Sequence, residues 1–339
     1  MLAVPDGLTD EMVAVALEQG WGVRTASLSY LAVGFGSHHW DVTDDTGARW
    51  FASVDELDTR RWSLKEPLDS VFGRLDAGLT AAADLAGLGL RFVLAPTRAR
   101  NRRALLRLAE RFSVALTPFA AGQSFGWGDF DSAEHRRAVL DLVIAVHGAP
   151  ASARRHARAD DLTIAFRDAL DAALDGGLTT AGGGGPYGAR TAALIGANRA
   201  ALARLLGYYD ALAERALACG GPLVLTHGEP HPGNTMRTTD GWVLIDWDTT
   251  LVARPERDLS VVDPGDGTML AAYHEITGVR PMAEVAELYR LRWELTDIAI
   301  TTAQFSQPHD DNANNAEAFA LLEPQLERLS RRDQPRSGW

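Results

Sequence analysis

His227, Glu229, His231 and Asn234 fall close together in the run Leu223-Val-Leu-Thr-His-Gly-Glu-Pro-His-Pro-Gly-Asn-Thr-Met236, and Trp242-Val-Leu-Ile-Asp-Trp-Asp248 then delivers Asp246 and Asp248. Phosphoryl transfer needs such a set. One carboxylate takes the proton of an acceptor hydroxyl, while an amide oxygen and a second carboxylate hold Mg²⁺ on the donor phosphates. Glu229 fits the first role, Asn234 and Asp246 the second. Asp248 is either a secondary metal ligand or a hydrogen-bond partner beside them. A zinc hydrolase would also use two histidines four apart, but on one helical face with glutamate directly after the first. Here Gly228, Pro230, Pro232 and Gly233 prevent a helix, and Glu229 stands second after His227. No Gly-x-Ser-x-Gly elbow supports a serine hydrolase.

Elements must bring these groups together. Thr238, Thr239, Asp240 and Gly241 suit a hairpin turn, which returns Asp246 to the end of the strand pair that begins after Asn234. Upstream, Thr9 to Gln19 has helical spacing with Thr9 or Asp10 as N-cap, and residues 25–54 alternate and turn as a meander of strands. Pro67 to Leu88 is predicted as a helix. Phe92-Val-Leu-Ala-Pro96 and Arg111 to Leu116 are strand candidates, and Pro118 breaks the pattern. Helices are predicted at Glu134–His147, Asp160–Leu174, Ala192–Cys219, from Thr268 onward, at Met282–Ser306 and at Asn312–Arg331. The glycines Gly176-Gly177 and the run Gly182–Gly185 predict a surface loop. The fold class expected is α+β, with a smaller antiparallel-sheet lobe over residues 1–118 and a larger, mainly helical lobe over 119–339.

Composition narrows the partners. With 33 basic and 45 acidic residues in 339, the net charge of −12 disfavours nucleic acid or an anionic membrane and tolerates a cationic substrate. One cysteine, Cys219, leaves no internal disulfide or cysteine-based zinc site. No apolar run of membrane-spanning length or secretory leader is recognised, so a cytoplasmic protein is expected. Lys65 is the only lysine in the chain.

The loop His227-Gly-Glu-Pro-His-Pro-Gly-Asn234, the Ile245-Asp-Trp-Asp248 run and Ala253-Arg-Pro-Glu-Arg-Asp-Leu259 resemble the aminoglycoside phosphotransferase family, a branch of the protein-kinase-like fold, and within it the spectinomycin phosphotransferase group. The resemblance implies a bilobal fold, ATP or GTP as phosphate donor, Mg²⁺, and a small-molecule hydroxyl acceptor, with an antibiotic of the aminoglycoside or aminocyclitol type as first expectation. It places Mg²⁺ on Asn234 and Asp246, makes His227 a brace of the loop, and gives Asp258 a role in bonding loop backbone or capping a helix. Val114 to Pro118 takes the place of the interlobe hinge, so Val114 and Leu116 join Gly34, Gly36, Ser37 and Ser53 as expected nucleotide contacts. From the sequence alone Gly34-Phe-Gly36 is equally a plain hairpin turn. Acceptor walls are expected at Asp263, Asp266, Tyr273, Trp293, Glu294, Asp297 and Gln304.

Two departures from the family pattern stand out. Its catalytic aspartate is Glu229 here, one methylene longer. Its strand lysine is absent: Ser53 aligns there, on Trp50 to Asp55, and the following helix has Asp69, Asp76 and Asp84 but no glutamate to pair with it. Either Arg60, Arg61 or Lys65 reaches the phosphates, or the donor is held without that contact. The alternatives are a pseudokinase-like binding protein without turnover and a metabolic kinase of sugar, choline or homoserine type.

Overall fold

The first helix begins where its cap is encoded. In the computed structural model, which describes residues 1, 3–34, 36–177 and 185–332, α1 (Asp10–Trp21) starts after Thr9, whose hydroxyl accepts a 3.2 Å hydrogen bond from the Met12 amide, and ends on Gly22 in the left-handed region. β1 (Thr25–Leu31), β2 (Ser37–Asp44) and β3 (Arg49–Glu56) form the expected meander. Asp44 makes its turn by accepting from the Thr46 and Ala48 amides. α2 (Leu68–Gly87) follows, then β4 (Leu106–Leu108) and β5 (Phe112–Pro118). The five strands lie in the order β1-β2-β3-β5-β4, antiparallel throughout. One face buries Trp40, Val42, Ala52, Val54, Val114 and Leu116 against Val13 and Leu17 of α1. The opposite face of β3 carries Phe51, Ser53 and Asp55, as the two-residue period requires.

The remaining elements are β6 (Gly122–Ser124), α3 (Ala133–His147), α4 (Arg167–Leu174), α5 (Gly188–Ala197), α6 (Arg199–Cys219), β7 (Val224–Thr226), β8 (Thr235–Thr238), β9 (Gly241–Leu244), β10 (Leu251–Ala253), α7 (Glu256–Val262), α8 (Thr268–Thr277), α9 (Ala283–Ser306) and α10 (Ala313–Arg332). The fold is therefore mixed helix and sheet, with a small antiparallel sheet toward the N-terminus followed by a mainly helical part. By contacts the chain divides into two compact units. The first comprises residues 1–60, 67–160 and 221–286, the second 61–66, 161–220 and 287–339. The contact division thus falls elsewhere than at residue 118, because β7–β10 and α2 share one apolar core that joins Leu75, Leu79, Leu225, Leu244 and Trp247. The second unit contains α4, α5, α6, α10 and most of α9.

Three expectations on elements need correction. Phe92 to Pro96 is not a strand: it makes one parallel bridge, Val93 to Leu244, in which the Leu244 amide donates to Phe92 at 2.8 Å and the Leu94 amide donates to Leu244 at 3.0 Å. The helix expected from Asp160 begins only at Arg167, because Leu162 and Phe166 adopt left-handed φ and Asp160 bonds the Val252 carbonyl. The long helix expected over Ala192–Cys219 is two helices, parted at Asn198. Of the glycine-rich stretch, residues 178–184, including Gly182, Gly183 and Gly184, lie outside the described residues, as does Phe35.

Candidate active site

The loop after β7 is held from below by a buried polar cluster. Asp258, on α7 and fully buried, accepts from the His227 amide at 2.9 Å and the Gly228 amide at 2.6 Å, and its Oδ2 lies 3.1 Å from His147 Nε2. His147 Nδ1 in turn lies 3.0 Å from the Tyr273 hydroxyl. Burial alone would push the Asp258 carboxyl up, but the His147 hydrogen bond and the charge of Arg257 outweigh it and hold it low. Arg257 donates to the Thr226 hydroxyl (2.9 Å) and the Thr249 carbonyl (2.8 Å). Its guanidinium lies where a side chain on Gly228 would begin, 2.4 Å from the ideal Cβ position, and Gly228 has φ of 102°. Only glycine fits there.

His227 is held at both ring nitrogens. It is fully buried, its Nε2 lies 2.8 Å from the Ile245 carbonyl, and its Nδ1 accepts from the Glu229 amide at 3.2 Å. Donation to a carbonyl and acceptance from an amide define one neutral tautomer, with the proton on Nε2. Burial lowers its pKa to about 4, in keeping with that neutral form. His231 is likewise lowered to about 4 by burial and by His227.

The candidate metal ligands follow along the loop and the hairpin after it. The Asn234 Nδ2 donates to the Glu229 carbonyl at 3.0 Å, which fixes the amide orientation and leaves Oδ1 without a protein partner among the described residues. β8 and β9 pair from Thr235–Leu244 to Thr238–Gly241, and the Ile245 amide donates to the Asn234 carbonyl at 3.0 Å. The hairpin foreseen at Thr238–Gly241 therefore sets Asp246 beside Asn234. Asp246 has a left-handed φ of 64°, an uncommon conformation for a residue other than glycine, at the turn that leaves β9. Its side chain remains open to solvent, yet the protein crowded around it raises its pKa; Arg60 opposes that shift and Asp55 adds to it. No hydrogen bond to its carboxylate occurs among the described residues.

These groups fit Mg²⁺. An oriented amide oxygen and a carboxylate without a hydrogen-bond donor are hard oxygen ligands, and Mg²⁺ commonly takes only one or two protein carboxylates, completing its octahedron with water and substrate phosphate. Among the described residues no cluster of three His, Cys, Asp or Glu able to hold a metal occurs.

Asp248 is ion-paired with Arg60. Arg60 also lies 3.3 Å through Nε from Asp55 Oδ1, and Asp55 accepts from the Ser37 hydroxyl at 2.8 Å. Nothing in the sequence singles out Asp55, and Arg60 is one of the three cations it offers near the strand. Of the other two, Arg61 bonds the Glu66 carbonyl and Lys65 is exposed. Ser53 lies 3.2 Å from His39 Nδ1, on the same face of the sheet as Asp55. The α2 carboxylates turn elsewhere, Asp69 to Arg107, Asp76 to Arg103 and Asp84 to Arg98. Gly78 of α2 went unnoticed in the sequence. Its ideal Cβ would stand 2.9 Å from the Asp248 carbonyl oxygen, so glycine lets α2 lie against the Trp247–Asp248 backbone.

Several expected contacts have other work. Val114 and Leu116 are fully buried, Val114 is flanked by Val54 and Leu106, and the Leu116 carbonyl accepts from the Thr97 amide at 2.7 Å. Gly34 and Gly36 both have positive φ, at 70° and 86°. Asp263 is buried and accepts from the Gly265, Gly267 and Met269 amides, and Asp266 accepts from the Thr268 amide and hydroxyl, so both cap the turn into α8. Tyr273, with its hydroxyl pushed up to about 12 by burial, is a prop beneath the loop. Trp293, Glu294, Asp297 and Gln304 lie on α9 in the second unit. There the Asp297 carboxyl is pushed up to about 7 by burial, and Gln304 bonds Asn315 at 2.7 Å.

A small antiparallel sheet of five strands followed by a mainly helical part is the arrangement of the kinase-like phosphotransferase fold. The chain belongs to the phosphotransferase enzyme family APH, which it matches over residues 48–299. Protein StrN of Streptomyces griseus is 30% identical over 272 residues, 75% of this chain and 76% of that protein. A crystal structure of spectinomycin phosphotransferase APH(9)-Ia with ADP and spectinomycin shares the fold at a TM-score of 0.69 and 15% identity, over 96% of this chain and 98% of that one. Amicoumacin kinase hAmiN, in complex with AMP-PNP, Ca²⁺ and Ami, shares the fold at a TM-score of 0.57 and 13% identity, over 96% of this chain and 94% of that one. Among the described residues no helix is long and apolar enough to cross a membrane.

Proposed function

We propose that the protein transfers the γ-phosphoryl group of ATP or GTP, with Mg²⁺, to a hydroxyl of a small polar acceptor. The carrying observation is the Asn234 amide, fixed by its bond to the Glu229 carbonyl and tied through Ile245 to the position of Asp246. That arrangement sets a base candidate and two metal-ligand oxygens in one short loop and hairpin. Glu229 takes the proton of the acceptor hydroxyl; the hydroxyl oxygen bonds to the γ-phosphorus as the bond to the bridging oxygen breaks, and the nucleoside diphosphate leaves. In a loose transition state the base supplies alignment more than driving force, so glutamate in place of aspartate is compatible with turnover. Bound by Asn234 and Asp246, the metal would offset charge on the β- and γ-phosphates.

The acceptor class we favour is an amine-bearing antibiotic of the aminocyclitol or aminoglycoside type. Fold neighbours solved in complex with spectinomycin and with kanamycin support it, and so does the net charge of −12. The protein would act in the cytoplasm, where nucleoside triphosphate is supplied. The test is nucleoside diphosphate release from ATP and from GTP, with Mg²⁺, across spectinomycin, aminoglycosides and small hydroxyl metabolites. Acceptor-dependent release that disappears with EDTA and in Asp246→Ala supports the reading. Mg²⁺-independent nucleotide binding without turnover on any acceptor replaces it with the binding protein; turnover only on a sugar, choline or homoserine replaces the antibiotic with a metabolite.

A further inference from the structure

The strand lysine that kinases of this fold use on the donor phosphates has no counterpart at Ser53, and the phosphates would otherwise face the carboxylates of Asp55, Asp246 and Asp248. We propose that Arg60, from the segment just after β3, is the cation that holds the donor phosphates. This inference rests on the kinase reading above and assigns one of its missing parts.

Four observations carry it. Arg60 is ion-paired at two corners only, Nε to Asp55 on β3 and Nη2 to Asp248 two residues past Asp246. Its Nη1 has no acceptor among the described residues, so two of the five donors of the guanidinium stay unspent. That Nη1 lies 2.6 Å from the position a Cβ on Gly36 would take, which puts it directly beneath the glycine turn between β1 and β2. Finally, the segment is fixed at its backbone: Arg74 of α2 is buried and its Nη2 donates to the Arg60 carbonyl at 2.6 Å. A side chain so held, four-fifths buried, is pre-positioned between the glycine turn and the candidate metal ligands. A lysine at residue 60 would not reproduce this. One ammonium is a point charge, whereas the planar fork satisfies two carboxylates and still aims a third edge outward. The same geometry explains Gly36: besides its φ of 86°, any side chain there would meet a guanidinium that two carboxylates prevent from moving aside.

The role separates from simple neutralisation of Asp55 and Asp248 by its dependence on phosphate. Calorimetric titration of the full chain with Mg²⁺ and ATP, with tripolyphosphate, and with adenosine would be run on wild type, Arg60→Ala, Arg60→Lys and Lys65→Ala. Loss of a charge-assisted hydrogen bond to phosphate predicts a fall of roughly 10- to 100-fold for ATP and tripolyphosphate in Arg60→Ala. Partial recovery is expected in Arg60→Lys, with unchanged adenosine binding and no effect of Lys65→Ala. Because Arg60→Ala leaves Asp55 and Asp248 uncompensated, Arg60→Ala combined with Asp248→Asn guards against a folding defect, and it should show the same phosphate-specific loss. Wild-type affinity for ATP in both Arg60 variants, or an equal loss for adenosine and ATP, overturns the proposal while leaving the kinase reading standing. Failure of the wild type to bind any nucleotide overturns both.

Discussion

At the residue scale the site depends on groups that stay neutral or charged as their surroundings dictate. Glu229 is the group whose chemistry is most exposed to test. Glu229→Gln keeps the shape and removes the basic oxygen, so kcat should drop on the order of 100-fold with nucleotide affinity retained. Glu229→Asp should keep more activity than Gln, because the carboxylate survives although set back by about a bond length. Steady-state rates together with nucleotide titration distinguish these outcomes. His227 makes a second prediction. Its folded pKa of about 4 lies below the ordinary 6.5 of the unfolded chain. Above pH 6.5 neither state is protonated there and the neutral brace contributes in full. Between 6.5 and 4 the unfolded state takes up a proton that the folded state refuses, and the contribution declines as pH falls. The stability gap between wild type and His227→Asn, followed by denaturant unfolding, should therefore narrow on acidification through that window. A gap that widens would show that the imidazole is charged in the fold.

At the scale of elements, the hairpin and the glycines decide the geometry. Gly78→Val would drive a branched side chain into the Trp247–Asp248 backbone, where a bare Cβ already stands 2.9 Å from oxygen. Overpacking of that kind costs about 1–3 kcal/mol, readable as a lowered thermal midpoint. A larger fractional loss of kcat than of stability is expected, because Asp246 sits on the displaced segment. The contrast between Gly78 and the β8–β9 hairpin shows what the sequence could disclose. The turn Thr238–Gly241 and the loop His227–Asn234 were legible because local chemistry, turn residues and functional side chains, coincides with chain order. Gly78 was not, since a glycine inside a helix carries no mark of the backbone it will meet. For the same reason His147 passed as a helix-end residue: its partner Asp258 lies far along the chain, and only the fold joins them. The strand expected at Phe92–Pro96 shows the opposite error, an apolar run that is buried but makes one bridge to Leu244 in place of a ladder. At Asp160–Phe166 the apolar spacing suited a helix, but the left-handed turns at Leu162 and Phe166 prevailed. The sequence leaves Arg60, Arg61 and Lys65 open, and the proposed role of Arg60 turns on the position of Asp248, which only the fold supplies.

At the scale of the whole molecule, the net charge of −12 creates a field that any cationic acceptor must cross. Screening grows as the Debye length shrinks from about 10 Å at 0.1 M salt to about 3 Å at 1 M. For an amine-bearing acceptor, KM should therefore rise with ionic strength while that for a neutral hydroxyl compound stays nearly level; initial rates over a salt series decide it. A flat response for the amine would mean that short-range contacts alone select it. The family assignment and the shared fold set the class of chemistry, but the claim that this particular loop carries it out rests on Glu229, Asn234 and Asp246 acting together. The most direct measurement is phosphorus NMR of a reaction containing the protein, Mg²⁺, nucleoside triphosphate and the aminocyclitol and aminoglycoside panel, run beside Glu229→Gln. A new phosphoester resonance that grows with loss of the γ-phosphate signal, and slows in the variant, is the predicted result. Phosphoester formation at the same rate in Glu229→Gln, or none with any acceptor, would contradict the account.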